Sequence, residues 1–334
     1  MKIGIIGLPN VGKSSLFNLL TQANAQVAKF PFTTIERNVG VVIIPDERLD
    51  KIVEITRSPK KTYAHIDFVD IAGLIKGASK GEGLGNKFLS HIRDVDLVLH
   101  VLRCFSDPDI PHTDIDIDPK RDYDIVRSEL FLADLEMVER RLDKIKKKFE
   151  AKEEFEILTR IKSSLAKGEN PQEEIADLPL LTTIPEIIVL NFDEEGKFKT
   201  DFQGYKISVR LEEDIKDFSE AEKKELRIEA GLEPNGITGL LKLCLKELSM
   251  ITFFTIKGEE SRAWLIESNT KVIDAAGKIH SDLKEGFIKA EILRYEDLLK
   301  AQSFASAHEK GLTRIEGKDY IVQDGDIVLI KFRT

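Results

Sequence analysis

At 334 residues, with 42% hydrophobic side chains, the chain is long enough for two or three domains with buried cores. Its 50 lysines and arginines against 59 aspartates and glutamates leave a formal charge of −9, which argues against a general nucleic-acid coat while leaving room for local basic patches. Two cysteines, Cys104 and Cys244, are too few for a disulfide framework or a zinc site. No run approaches the ~20 apolar residues that span a bilayer and no signal-peptide pattern opens the chain, so a cytoplasmic location with no membrane partner is expected.

The apolar run Ile3-Gly4-Ile5-Ile6 reads as a strand, and Ser15-Leu16-Phe17-Asn18-Leu19-Leu20 as a helix. Between them stands Gly7-Leu8-Pro9-Asn10-Val11-Gly12-Lys13-Ser14, a glycine loop in the order a phosphate cradle needs. Gly7 and Gly12 let backbone N–H groups turn inward, Lys13 adds a charge at the β/γ oxygens, and the Ser14 hydroxyl faces Mg²⁺. A nucleoside triphosphate is therefore the expected ligand. Phe30-Pro31-Phe32-Thr33-Thr34 follows, then the β run Val39-Gly40-Val41-Val42-Ile43-Ile44 and the alternating strand from Ala64 to Asp70, which ends on Asp70-Ile71-Ala72-Gly73. Leu97 to Leu102 and Glu186 to Asn191 are continuous in apolar character, as parallel strands covered on both faces should be. The expected fold class is α/β, a doubly wound and mostly parallel sheet with its site at the strand C-terminal edge.

Residues 121 to 166 are highly charged and free of proline and glycine. Leu135, Val138, Leu142, Ile145 and Phe149 are spaced three and four apart, a coiled-coil seam, and Phe155, Leu158, Ile161 and Leu165 form a second apolar set. Two antiparallel helices are expected, the first running from Tyr123 to Phe149 over roughly 40 Å at ~1.5 Å per residue. From Met250 short β runs and a helical stretch, Lys271 to His280, announce a small α+β domain. The expected boundaries are 1–120 and 172–249 for the nucleotide-binding domain, 121–171 for the helical insertion and 250–334 for the C-terminal domain.

The glycine loop, the Phe-Thr-Thr segment, Asp70-Ile71-Ala72-Gly73 and Asn191-Phe192-Asp193-Glu194 stand in the order of the four leading motifs of translation-factor-class GTPases. With the inserted hairpin and the C-terminal run from Glu316 to Asp326, the whole chain closely resembles the YchF subfamily of Obg-like ATPases. The resemblance implies a P-loop domain, a coiled-coil insertion and a TGS domain of ubiquitin-like β-grasp fold, acting around the ribosome, where the large subunit is the expected partner of a monomer. Asn10, Val11, Gly12, Lys13, Ser14 and Ser15 then form the cradle. Asp70 is placed to hold Mg²⁺ through water, Gly73 offers its N–H to the γ-phosphate, and Thr34 matches the switch residue that closes onto the metal, although sequence alone does not separate it from Thr33.

Two departures shape the expected chemistry. Leu74 stands where Ras-type proteins carry glutamine, and a leucine offers nothing to the attacking water, so intrinsic turnover should be slow. His112, on a proline-interrupted loop, is the candidate to orient or deprotonate that water, against the plain alternative of a solvated loop histidine. Asn10 matches an asparagine that helps hold K⁺ in related enzymes lacking the glutamine. In the base-reading motif, Phe192 and Glu194 replace the usual lysine and aspartate, which weakens guanine readout and favours ATP over GTP, with Asn191 left to meet the adenine edge and Ser208 as a weak fifth motif. Changing Glu194 to Asp together with Phe192 to Lys should then move the preference toward GTP. His100, inside an apolar strand, reads as a satisfied core residue. Lys144, Lys146, Lys147, Lys148 and Lys152 gather at the hairpin tip, where RNA contact and simple solvation are both open. A switch-like NTPase is the leading expectation; a ribosome- or protein-binding adaptor that uses nucleotide as a structural ligand, or a GTP-preferring ribosome-assembly GTPase, is the alternative.

Overall fold

A computed structural model describes residues 1–25, 39–71, 84–111, 116–146 and 152–333. Contacts divide the chain into two compact units, Met1–Val41 with Asp67–Cys244, and Val42–Ile66 with Leu245–Thr334. In chain order the first half runs β1 (Lys2–Ile6), α1 (Lys13–Ala25), β2 (Val39–Ile44), α2 (Glu47–Thr56), β3 (Lys60–Thr62), β4 (Ala64–Asp70), α3 (Leu84–Arg93) and β5 (Leu97–Cys104). Then come α4 (Pro119–Ile145), α5 (Lys152–Ala166), β6 (Glu186–Phe192), β7 (Tyr205–Ile207), α6 (Val209–Asp214), α7 (Glu220–Glu229) and α8 (Gly236–Glu247).

The strand order β2-β4-β1-β5-β6-β7 is that of a doubly wound sheet. From β1 the chain builds first toward β4 and then, through β5, in the opposite direction. The order reverses at β1, so the crevice that binds ligands in such sheets opens at the C-terminal end of this strand. Register places the site residues there: Ile5 pairs with Asp70, Cys104 with Phe192, and Asn191 with Ile207, all in parallel ladders. β5 is buried at all eight positions, as its apolar run requires of a strand covered on both faces.

The helical insertion forms where the heptad-like spacing put it. Val138, Leu142 and Ile145 of α4 meet Leu158, Ile161 and Leu165 of α5 in one apolar cluster, with Leu135 partly buried beside it. Arg141 pairs with Glu154 and Lys162 with Glu139, each at 2.7 Å, across the antiparallel pair. Phe155, expected in the seam, is instead 37% exposed. Phe149 and the tip residues Lys147 and Lys148 lie outside the described residues. α4 starts earlier than the expected Tyr123, because Asp118 caps it through the backbone N–H groups of Lys120 and Arg121 and Pro119 suits the first turn. Its first half, with Asp122, Val126 and Leu130 buried, is built into the first unit. By contacts the insertion belongs with the nucleotide-binding sheet.

The second unit contains β8 (Met250–Lys257), β9 (Glu260–Glu267), α9 (Val272–Ile279), α10 (Ser281–Glu285), β10 (Phe287–Arg294), α11 (Tyr295–Ala301), α12 (Phe304–Glu309), β11 (Arg314–Glu316) and β12 (Asp326–Phe332). Its sheet runs β11-β10-β12-β8-β9-β3, with β12 parallel to β8 and antiparallel neighbours on each side. Val272 and Ala275 of α9 pack on Phe253, Ile266, Ala290, Ile292 and Val328 to make the core. Residues 42–66 group with this unit, although the sequence reading placed them in the nucleotide-binding domain. The cause is non-local pairing: β3 adds to β9 in parallel through Lys60↔Glu260, and Arg48 pairs with both Asp46 and Asp324 while lying 5.3 Å over the Phe254 ring.

Candidate nucleotide site

The phosphate loop forms because its glycines adopt backbone that other residues avoid. Gly7 and Gly12 have φ of +144° and +99°, and a Cβ at either would fall within 2.4 Å of Val101 O or 2.3 Å of Asn191 Nδ2. Lys13, at the first position of α1, is only 7% exposed and donates to Leu8 O at 2.7 Å. Burial lowers its pKa to about 8, an effect the Asp70 carboxylate opposes. An ammonium held dry and folded onto its own loop is a cation without a full counter-charge, and a polyphosphate supplies one. Ser14 Oγ donates to Asp70 Oδ2 at 2.7 Å, while Asp70 Oδ1 is buried and has no hydrogen-bond partner among the described residues. Among the described residues no three His, Cys, Asp or Glu side chains cluster as metal ligands. A hydroxyl and one carboxylate with a vacant lone pair, beside a phosphate cradle, fit Mg²⁺, which keeps waters and takes its remaining ligands from the phosphates. Thr33, Thr34, Gly73 and Leu74 lie outside the described residues.

An open cleft of about 860 Å³ extends from this cradle and is lined by Asn10, Gly12, Lys13, Ser14 and Ser15 at one end and the base loop at the other. The base loop departs from the sequence reading. Asn191 is 5% exposed, and its amide is spent on backbone: Nδ2 donates to Val11 O at 3.0 Å and Oδ1 accepts from Val209 N at 3.1 Å. It ties the phosphate loop to the start of α6, where the adenine edge was expected as its partner. Phe192 borders the cleft but packs with Leu102, Cys104, Leu190 and Leu232, so a lysine there would bury a charge. Asp193 Oδ1 accepts from Glu195 N and Lys197 N and shapes the turn. Ser208, fully buried, caps α6 through Leu211 N at 3.2 Å. Glu194 is half-buried and pairs at 3.4 Å with Arg210, a cleft residue absent from the sequence-based candidates.

The third wall is the loop after β5, from which Phe105, Ser106, Asp107 and Ile110 reach the cleft. Asn10, in left-handed backbone at φ +61°, donates from Nδ2 to Pro111 O at 3.0 Å and joins this loop to the cradle. His112, the next residue, lies outside the described residues. His100 is fully buried, with Nδ1 2.7 Å from Glu186 Oε1 and its ring stacked on Tyr123, but its Nε2 has no partner among the described residues, so there it is a core residue only half satisfied.

Sheet order, cradle and cleft define a P-loop protein of the GTPase class. A family model described as a 50S ribosome-binding GTPase matches residues 2–133, and a model of the YchF-GTPase C-terminal region, described as a protein of unknown function, matches residues 250–333. A Bacillus subtilis protein named as the ribosome-binding ATPase YchF is 42% identical over 99% of both chains. Its namesake from Escherichia coli O157:H7 is 39% identical over 100% of this chain and 99% of its own. The solved YchF GTPase of Schizosaccharomyces pombe superposes with a TM-score of 0.85 at 32% identity, covering 99% of this chain and 97% of that one. The chain belongs to the YchF family.

Proposed function

We propose that the protein is a Mg²⁺-dependent nucleoside-triphosphate hydrolase that prefers ATP to GTP, turns over slowly by itself and acts as a conformational switch on the ribosome. The observation that carries the site is Ser14 Oγ against Asp70, with the second Asp70 oxygen buried and unpaired among the described residues, next to the buried Lys13 ammonium. Bound there, Mg²⁺ supplies neutralisation of charge on the β and γ phosphates. Ser14, Asp70 and Thr34 would hold it, Lys13 would turn from Leu8 O to the phosphates, and backbone N–H groups of the loop from Asn10 to Ser15 and of Gly73 would cradle the oxygens. The remote partner rests on the names of the relatives and of the matching family model. On this reading the large subunit is the docking site of a cytoplasmic monomer, the C-terminal unit is a TGS domain, and Lys144 and Lys152 near the hairpin tip offer RNA contact. Lys146 is already paired with Asp143 at 2.8 Å.

The ATP preference follows from the base loop. Guanine is read by a carboxylate that accepts two N–H groups, and Glu194 is a methylene too long and shares its charge with Arg210. Isothermal titration should give a lower dissociation constant for ATP than for GTP; a tenfold preference for GTP overturns the reading. Leu74 leaves the attacking water without a side-chain partner, a role assigned to His112, with K⁺ held beside Asn10 to stabilise transition-state charge. Turnover should be faster in KCl than in NaCl at equal ionic strength, with the difference lost in Asn10→Ala. The second reading, an adaptor that uses nucleotide as a structural ligand, is favoured by the same Leu74. Single-turnover hydrolysis with and without ribosomes separates the two: no stimulation and no product over hours supports the adaptor.

A further inference from the structure

Arg103 is the penultimate residue of β5, a strand otherwise apolar apart from His100, and is 1% exposed. Its guanidinium donates to three carbonyls of the loop that follows: Nε to Phe105 O at 3.0 Å, Nη1 to Ile110 O at 3.1 Å and Nη2 to Asp107 O at 3.4 Å. It also lies 4.4 Å over the Phe105 ring. Among the described residues little else orders this loop. Ser106 and residues 108–111 are exposed, and within it Asp107 accepts from Asp109 N and, through its carbonyl, from Ile110 N. At its far end Asn10 of the phosphate loop donates to Pro111 O.

Burying a cation costs free energy that a surface loop ordinarily never requires, since turns of this kind close through Asp and backbone alone. The cost is intelligible if the loop must keep one shape, and four of its residues form a wall of the cleft. We propose that Arg103 is a positioning residue that sets residues 105–111 against the phosphate loop and so governs how long a nucleotide is retained. The proposal rests on the nucleotide-binding reading above. Only a guanidinium serves: its planar fork of five donors reaches three diverging carbonyls, whereas an ammonium presents one nitrogen. The carboxylates of Asp107 and Asp122 supply the compensating negative charge.

The test uses the full chain with Arg103→Met and Arg103→Lys, each followed by thermal melting and by stopped-flow release of a fluorescent ATP analogue. Release should quicken about tenfold in Arg103→Met and nearly as much in Arg103→Lys, which keeps the charge but not the fork. Combined with Asn10→Ala, either change should add little further, because both residues act on the same loop. Should Arg103→Met fail to fold, Arg103→Lys carries the test. Wild-type release rates in a folded variant with a lowered melting temperature, or full additivity with Asn10→Ala, overturn the proposal and leave Arg103 a support of the fold. No binding of the analogue by the wild-type chain overturns the nucleotide reading itself, and this proposal with it.

Discussion

Both units carry ion pairs at the surface, but they differ in how they hold buried charge. In the first, ions are buried: Lys13 on a loop carbonyl, Arg103 on three, Asp134 accepting from Leu181 N, Thr182 N and Thr182 Oγ1, and Arg227 with Glu212, each side chain 7% exposed. In the second, pairs sit at the surface, such as Lys271 with Asp319, Lys284 with Asp274 and Lys61 with Asp50. Asp326 and Glu291 are the second unit's buried carboxylates, and each has a side-chain partner, Tyr320 and His308. The difference teaches where function is stored. In the first unit Lys13 and Arg103 hold loops that line the cleft, and Asp70 Oδ1 is buried with no partner among the described residues, whereas the second unit stands on an apolar core.

If that contrast is right, the largest loss should come from halving a buried pair. Arg227→Met leaves Glu212 buried without its bidentate partner, and Nε–Oε1 at 2.6 Å and Nη2–Oε2 at 2.8 Å are both removed. A loss of about 3–5 kcal/mol in urea unfolding is expected. A loss below about 1 kcal/mol would erase the distinction.

Next in size is Lys13→Ala. The ammonium serves the ligand and its removal relieves a buried charge, so ATP affinity should fall by about 100-fold while the melting temperature holds or rises. Unchanged affinity with a native circular dichroism spectrum removes this loop from the site. Smaller again is Glu194→Asp combined with Arg210→Ala, which frees and shortens the carboxylate. The ratio of ATP to GTP affinity should shift toward GTP by about tenfold. The exchange of Phe192 for lysine, natural from the motif alone, is excluded here because that ring is core.

The cradle was legible because its causes are local. Glycine spacing dictates backbone, the backbone dictates where Lys13 and Ser14 point, and the strand ending at Asp70 pairs with β1 by the ordinary rule of the fold. The hairpin seam was legible for the same reason, period by period. What the sequence hid is non-local. Asn191 looks like a base reader until the register of β6 with β7 brings it against Val209, and nothing in Lys60-Lys61-Thr62 announces a strand of another sheet. Arg103 left a trace, an arginine next to the end of an apolar strand, but its three acceptors are set by the path of the loop.

The smallest effect sharpens the second half of the comparison. Lys284 pairs with Asp274 at 2.8 Å, with both side chains about half exposed. Water screens the attraction, and two flexible side chains lose rotamer freedom to make it, so Lys284→Ala should cost under about 1 kcal/mol. Part of that loss is packing: the Lys284 stem covers Gly277, where an added Cβ would lie 2.9 Å from Cδ. The two contributions separate by salt. Urea melts at low and high ionic strength should show the pair's share shrinking as salt rises, with the packing share unchanged and ATP affinity untouched. A loss above about 2 kcal/mol, insensitive to salt, would mean that the second unit also depends on its ions, and the contrast drawn from burial would no longer separate the two units.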